Sequence, residues 1–163
     1  MDGIGLQSHF SARATPMDDL MKRFDRFAAF GRELEITEFD INTSDEGTQA
    51  DYTRDFMTAA FSQPSVKAFL MWGFWEGAHW IPRGAMMRRD WSLKPNGEVY
   101  KDLVFKRRWT NTDGKTGAQG TFALRGFLGR LRDRSEGRRK VEGGTRQPSQ
   151  GRHKSRVRAG IAR

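Results

Sequence analysis

The chain has 163 residues, long enough for one domain with a sizeable core, and its five Trp and twelve Phe favour a packed fold over a disordered chain. It has no cysteine, which excludes disulfides and thiolate metal sites, and no apolar run of about 18 residues, which excludes a helix through a membrane. The net charge of +9 is unevenly spread: residues 130–163 hold twelve Lys/Arg against three Asp/Glu, whereas residues 1–129 balance at 17 of each sign. The body is neutral, and all the excess charge lies in the tail.

In chain order, Met-Asp-Gly-Ile-Gly opens without the basic and apolar regions of a signal peptide. Residues 3–10, Gly-Ile-Gly-Leu-Gln-Ser-His-Phe, read as a strand with Gln7 and His9 on one face and Leu6, Ser8 and Phe10 on the other. Polar residues alternating along a strand suggest a face lining a wet interior. Thr15 and Pro16 form an N-cap candidate with proline at the first helical position, and Asp18 and Asp19 follow in the first turn. Met17, Leu20, Met21, Phe24, Phe27 and Ala28 recur at helical spacing, predicting an amphipathic helix over 16–30 with Gly31 as its stop. Its Met/Phe stripe is core.

Residues 34–41, Leu-Glu-Ile-Thr-Glu-Phe-Asp-Ile, predict a strand with Ile36, Glu38 and Asp40 on one face and Thr37, Phe39 and Ile41 on the other. A carboxylate late in such a strand fits a strand end opening into solvent, and equally a cap for the next helix. A second helix is predicted from Thr48 to about Phe61, closed by Ser62, Gln63 and Pro64. Residues 66–72 predict an apolar strand that runs into Gly73-Phe74-Trp75-Glu76-Gly77-Ala78-His79-Trp80, and a long loop carries Met86, Met87, Asp90 and Trp91. The last predicted helix runs from Gly97 to about Trp109, with Val99, Leu103 and Val104 on one stripe. Strands beginning near 3, 34 and 66 alternate with amphipathic helices, which implies a parallel sheet covered by helices. A doubly wound sheet and a (β/α)8 barrel both fit. A barrel needs about 250 residues, so this chain has room for roughly three of eight units.

Four stretches then resemble, in order and spacing, the C-terminal part of the family-10 glycoside hydrolases, the endo-β-1,4-xylanases. Residues 3–10 resemble the sixth barrel strand, and Glu35 to Ile41 the seventh. Trp72 to Trp80 resembles the eighth-strand pattern W-G-x-x-D-x-x-S-W, and Asp90, Lys94 and Pro95 match the end of the barrel. Thr121 to Gly129 resembles a short β extension that closes some bacterial members. The resemblance covers about residues 2–129.

It implies an α/β fold, the C-terminal portion of a (β/α)8 TIM barrel with about three βα units and a short β extension, followed at 130–163 by a basic low-complexity tail expected to lack structure. It further implies retaining hydrolysis of xylan or a related β-glycan, with Glu38 as nucleophile, His9 supporting it, and Gln7, Trp72 and Trp80 contacting sugar. No cofactor and no metal is expected, and the parent enzyme is expected outside the cell. The chemistry agrees, because a retaining glycosidase needs an ionised carboxylate and a neighbouring polar donor favours that state. Flat Trp faces suit the CH faces of pyranose rings. Without the motif, His9 reads as readily as a core histidine, and Asp40 and Glu76 as structural residues. Glu76 and His79 depart from the family's Asp and Ser.

The partner acid/base glutamate belongs to an earlier strand, which this chain is expected to lack together with the N-terminal half of the barrel. Glu35, three residues from Glu38, lies on the opposite strand face and cannot replace it. Hydrolysis by this polypeptide alone is therefore expected to be negligible. After Gly129 every aromatic disappears. There the family pattern continues roughly Gly-Asp-Tyr-Glu-Ile, and one added nucleotide converts GGC GAC TAC GAG ATC into codons for Gly-Arg-Leu-Arg-Asp, the sequence at 129–133. A frameshifted tail is the reading this suggests. The functional alternatives are non-catalytic carbohydrate binding or a remnant half-barrel and, behind them, binding of a polyanion by clustered Lys/Arg, which is salt-dependent and sequence-independent, without aromatics for base stacking.

Overall fold

The computed structural model describes residues 2–119 and 121–127, together with the backbone of 130–136 and 154–160. The chain divides into two compact units, Met1–Leu103 and Val104–Arg163.

The first unit is built on β3 (Glu33–Asn42). The predicted strand over 3–10 is two pieces, β1 (Gly3–Leu6) and β2 (His9–Ser11), because Ser8 adopts the left-handed region at φ 67°. Both pieces run parallel to β3, β1 along Glu33 to Ile36 and β2 along Asp40 to Asn42. The strand β4 (Val66–Met71) pairs in parallel with the same residues of β3 that β1 uses, so it lies on the opposite side. Between strands come helices α1 (Met17–Ala28) and α2 (Glu46–Ser62).

Leu34 and Ile36 are buried before, and Phe39 and Ile41 after, a register shift on β3 between Ile36 and Phe39. Phe39 and Ile41 are buried on the helix-covered side, where Phe39 stacks on Phe56 of α2 at 4.9 Å and Phe10 meets Phe56 at 5.1 Å. Leu20, Phe24, Leu34, Ile36, Ala60 and Val66 complete this core. The Met/Phe stripe of α1 packs against it, as its spacing predicts.

Helix ends differ from the sequence reading. Pro16 itself is the N-cap of α1, with no side-chain cap, and the Thr15 carbonyl instead accepts from the Tyr52 hydroxyl at 2.9 Å. Helix α2 begins at Glu46, two residues before Thr48, because Asp45 caps it by accepting from the Gly47 and Thr48 amides at 2.9 and 3.2 Å. Those bonds and the Thr48 hydroxyl favour the ionised Asp45 carboxylate and lower its pKa. Helix α3 (Pro95–Asp102) is shorter than predicted and is followed by a π-helical turn, Leu103–Arg107.

In the second unit, β5 (Asn111–Lys115), β6 (Arg130–Glu136) and β7 (Lys154–Gly160) form an antiparallel sheet with β7 in the middle. This corrects the expectation of a structureless tail at 130–136 and 154–160. That expectation rested on missing aromatics, and backbone pairing needs none. Residues 137–153 lie outside the described residues.

Candidate active site

An extra residue on β3, shifting its register against both neighbouring sides after Ile36, positions the site. Leu6 pairs with Ile36, so an unbroken strand would set His9 against Phe39, on the helix side. The extra residue taken up on β3 sets His9 against Asp40 instead. Partners in a parallel pair share a face, so the imidazole joins Glu38 and Asp40.

His9 Nε2 lies 3.2 Å from Glu38 Oε2 in hydrogen-bond geometry. Its Nδ1 lies 3.1 Å from Asp40 Oδ1, within charge-attraction range but off the line of a hydrogen bond. The other Asp40 oxygen accepts from the Trp80 indole N–H at 2.8 Å. Exposure separates the two carboxylates: the Glu38 side chain is 23% exposed and that of Asp40 is 2% exposed. Glu38 is exposed enough to meet a ligand, with Oε2 held by His9. Asp40 holds its neighbours in place.

Behind Asp40 lies His79, its side chain fully buried and its Nε2 3.9 Å from Asp40 Oδ2. Its Nδ1 accepts from the Ile81 amide at 3.0 Å, which places the proton of the neutral ring on Nε2. Burial lowers the His79 pKa, with Asp40 pulling the other way. The ring occupies space left by glycines: a Cβ on Gly73 would lie 2.9 Å from it and one on Gly84 3.0 Å, and Gly73 also has φ +76°.

Trp72 and Trp80 flank His9 edge-on, with ring centroids 6.1 and 5.1 Å away. Both are exposed, at 43% and 60%. The structure thus brings together Glu38, His9, Trp72 and Trp80. Gln7 sits exposed between β1 and β2, two residues before His9. Among the described residues no side-chain hydrogen bond reaches it. Glu76 belongs to a structural pair instead: its Oε1 lies 3.7 Å from Lys94 Nζ, which donates to the Arg83 carbonyl at 2.8 Å. Burial lowers the Lys94 pKa, and Glu76 counters it. The roles of Asp40 and His79 were hidden in the sequence. The one available signal was parity, since Asp40 shares the Glu38 face. Among the described residues no group of three His, Asp or Glu is arranged to hold a metal ion.

Parallel strands alternating with helices, and a partly exposed carboxylate on the central strand among tryptophans, fit a portion of a carbohydrate-active α/β barrel. The chain belongs to Glycosyl hydrolase family 10, whose sequence profile matches residues 1–105. An anti-sigma-I factor of Acetivibrio thermocellus is 36% identical over 134 residues, 81% of this chain and 17% of that protein. Endo-1,4-beta-xylanase 1 of Arabidopsis thaliana is 27% identical over 128 residues, 78% of this chain and 13% of that protein. Among solved structures, xylanase 10B of Thermotoga petrophila in complex with xylobiose superposes with a TM-score of 0.58 at 28% identity, over 65% of this chain and 37% of that one. The chain therefore spans between about a tenth and two fifths of the length of these relatives.

Proposed function

We propose that this chain is the C-terminal part of the catalytic barrel of an endo-1,4-beta-xylanase-type glycoside hydrolase, acting on xylan or a related β-glycan with retention of configuration. The observation that carries it is the 3.2 Å contact between His9 Nε2 and the partly exposed Glu38 Oε2 of β3, beside two exposed tryptophans. Glu38 attacks the anomeric carbon, His9 orients it, and Trp72, Trp80 and the exposed Gln7 receive the sugar. Similarity to a xylanase solved with xylobiose supports the substrate class. The acid that protonates the leaving group comes from the N-terminal strands of the barrel, supplied by the rest of the parent protein. A polymeric substrate of this size is met outside the cell, where the parent enzyme acts.

A leaving group that needs no protonation isolates the nucleophile. The 163-residue chain, incubated with a 2-deoxy-2-fluoro-xylobioside of dinitrophenol, forms a glycosyl ester on Glu38 and releases the phenolate. Peptide mass mapping should find the added mass on the Glu38 peptide, and Glu38→Gln should abolish it. Unmodified xylan should yield no reducing sugar above background from the chain alone. Label on another residue, or wild-type-like xylan hydrolysis, refutes the assignment.

A second reading has one observation in its favour: the 36% identical relative is an anti-sigma-I factor. On that reading the site binds a glycan without cleaving it, and no label forms although xylooligosaccharide still binds.

A further inference from the structure

The segment leaving β4 carries a second aromatic surface beyond the Glu38 site. Trp75 and Trp91 stack with centroids 5.0 Å apart and planes 9° apart, and Phe74 lies 6.3 Å from Trp91. Trp75 is the inner ring, its indole N–H donating to the Arg89 carbonyl at 3.2 Å. Trp91 is the outer one, 56% exposed, with Phe74 beside it at 52%.

The chain accepts two constraints to present Trp91. Its backbone stands at φ 69°, a conformation that a bulky residue adopts only under constraint from its surroundings. The turn is held by Asp90 Oδ1, which accepts from the Ser92 amide at 3.0 Å and the Ser92 hydroxyl at 2.7 Å. Gly77 is the second constraint, because a Cβ there would fall 2.1 Å from the Trp75 ring. Core packing does not explain the arrangement, since the strained residue is the exposed one.

We propose that Trp91 and Phe74 form a remote platform for pyranose rings of a β-glycan, continuing the sugar-binding surface begun by Trp72. This rests on the Glu38 site acting on such a polymer, whose chain extends past the bond being cleaved. Three features favour a glycan. The open faces are flat aromatics, which match the CH faces of pyranose rings. The rim is polar, with Arg89, Asp90 and Ser92 exposed to meet hydroxyl groups. Phe74 follows Trp72 by only two positions on the same segment, and both rings are exposed. A protein partner would need a broad apolar patch of several hundred Å², and two rings do not supply one.

The test is a titration of the 15N-labelled full chain with xylohexaose, following the indole N–H signals of its five tryptophans. The Trp91 signal should shift saturably along with those of Trp72 and Trp80. Trp91→Ala should weaken xylohexaose binding about tenfold, the order of one to two aromatic contacts, while leaving xylobiose binding unchanged. Gly77→Ala should do the same by displacing Trp75 from beneath Trp91. Shifts at Trp72 and Trp80 with Trp91 still overturn the platform and leave the Glu38 reading standing. A shift at Trp91 alone upholds the platform and removes the Glu38 reading. No shift at any tryptophan overturns both. The wild-type titration decides even where a variant fails to fold.

Discussion

Asp40 and Glu38 are two positions apart on one strand face, yet their surroundings assign them different work. The buried Asp40 holds the Trp80 indole and faces two imidazoles, whereas the Glu38 side chain is partly exposed. His79 carries a prediction at this scale. Its pKa lies below the ordinary 6.5 because burial disfavours the imidazolium, so the unfolded chain binds a proton that the native chain refuses. Its contribution to stability is full above pH 6.5 and declines as pH falls through the native pKa. The thermal midpoint should therefore drop between about pH 7 and about pH 5.5, the range in which histidine charge changes. His79→Asn keeps an acceptor for the Ile81 amide but cannot titrate, so it should flatten the slope. An unchanged slope would trace the pH dependence to other groups.

At the scale of elements, the site depends on a flaw in a strand. Periodicity identified all three parallel strand positions and the first two helices, because each element buries one face and exposes the other. It missed the Ser8 break, since a single left-handed residue leaves no trace in a hydrophobic pattern. Alternation put Gln7 and His9 on one face, and His9 Nε2 lies 3.2 Å from Glu38 Oε2. The Asp45 cap was missed for a similar reason, because Thr48, its hydroxyl bonded to Asp45 at 2.8 Å, looked like a cap itself. If the left-handed turn sets the register, Ser8→Val should cost about 1–3 kcal/mol, the order of strain for such a residue. Ser8→Gly, free to adopt φ > 0, should stay within about 1 kcal/mol of the native protein. Urea unfolding measures both, and the His9 ring signals report whether the contact with Glu38 survives. Equal losses for Val and Gly would mean that the Ser8 side chain, through its 3.2 Å bond to the Leu6 carbonyl, matters more than the backbone conformation.

For the whole molecule, charge and structure divide the chain at different places: the compact units part after Leu103, and the basic excess begins at Arg130. The first unit was legible because amphipathic helices and half-buried strands leave periodic patterns. The sheet of β5, β6 and β7 was not, because long-range backbone pairing between polar segments leaves none. The origin of the tail remains a question for the gene. A core-forming sequence read one nucleotide out of phase loses its apolar pattern at once, and Asp, Tyr and Glu codons of the form GAC, TAC and GAG yield CGA, CTA and CGA. At residues 130–132 that conversion would replace Asp, Tyr and Glu by Arg, Leu and Arg. A selected polyanion-binding tail puts no constraint on which of six arginine codons is used. The expected codons for Arg130, Leu131 and Arg132 are therefore CGA, CTA and CGA, and the neighbouring frame should encode Asp-Tyr-Glu. Any other codons at these three positions exclude this slip and leave the basic tail as a coding sequence in its own right.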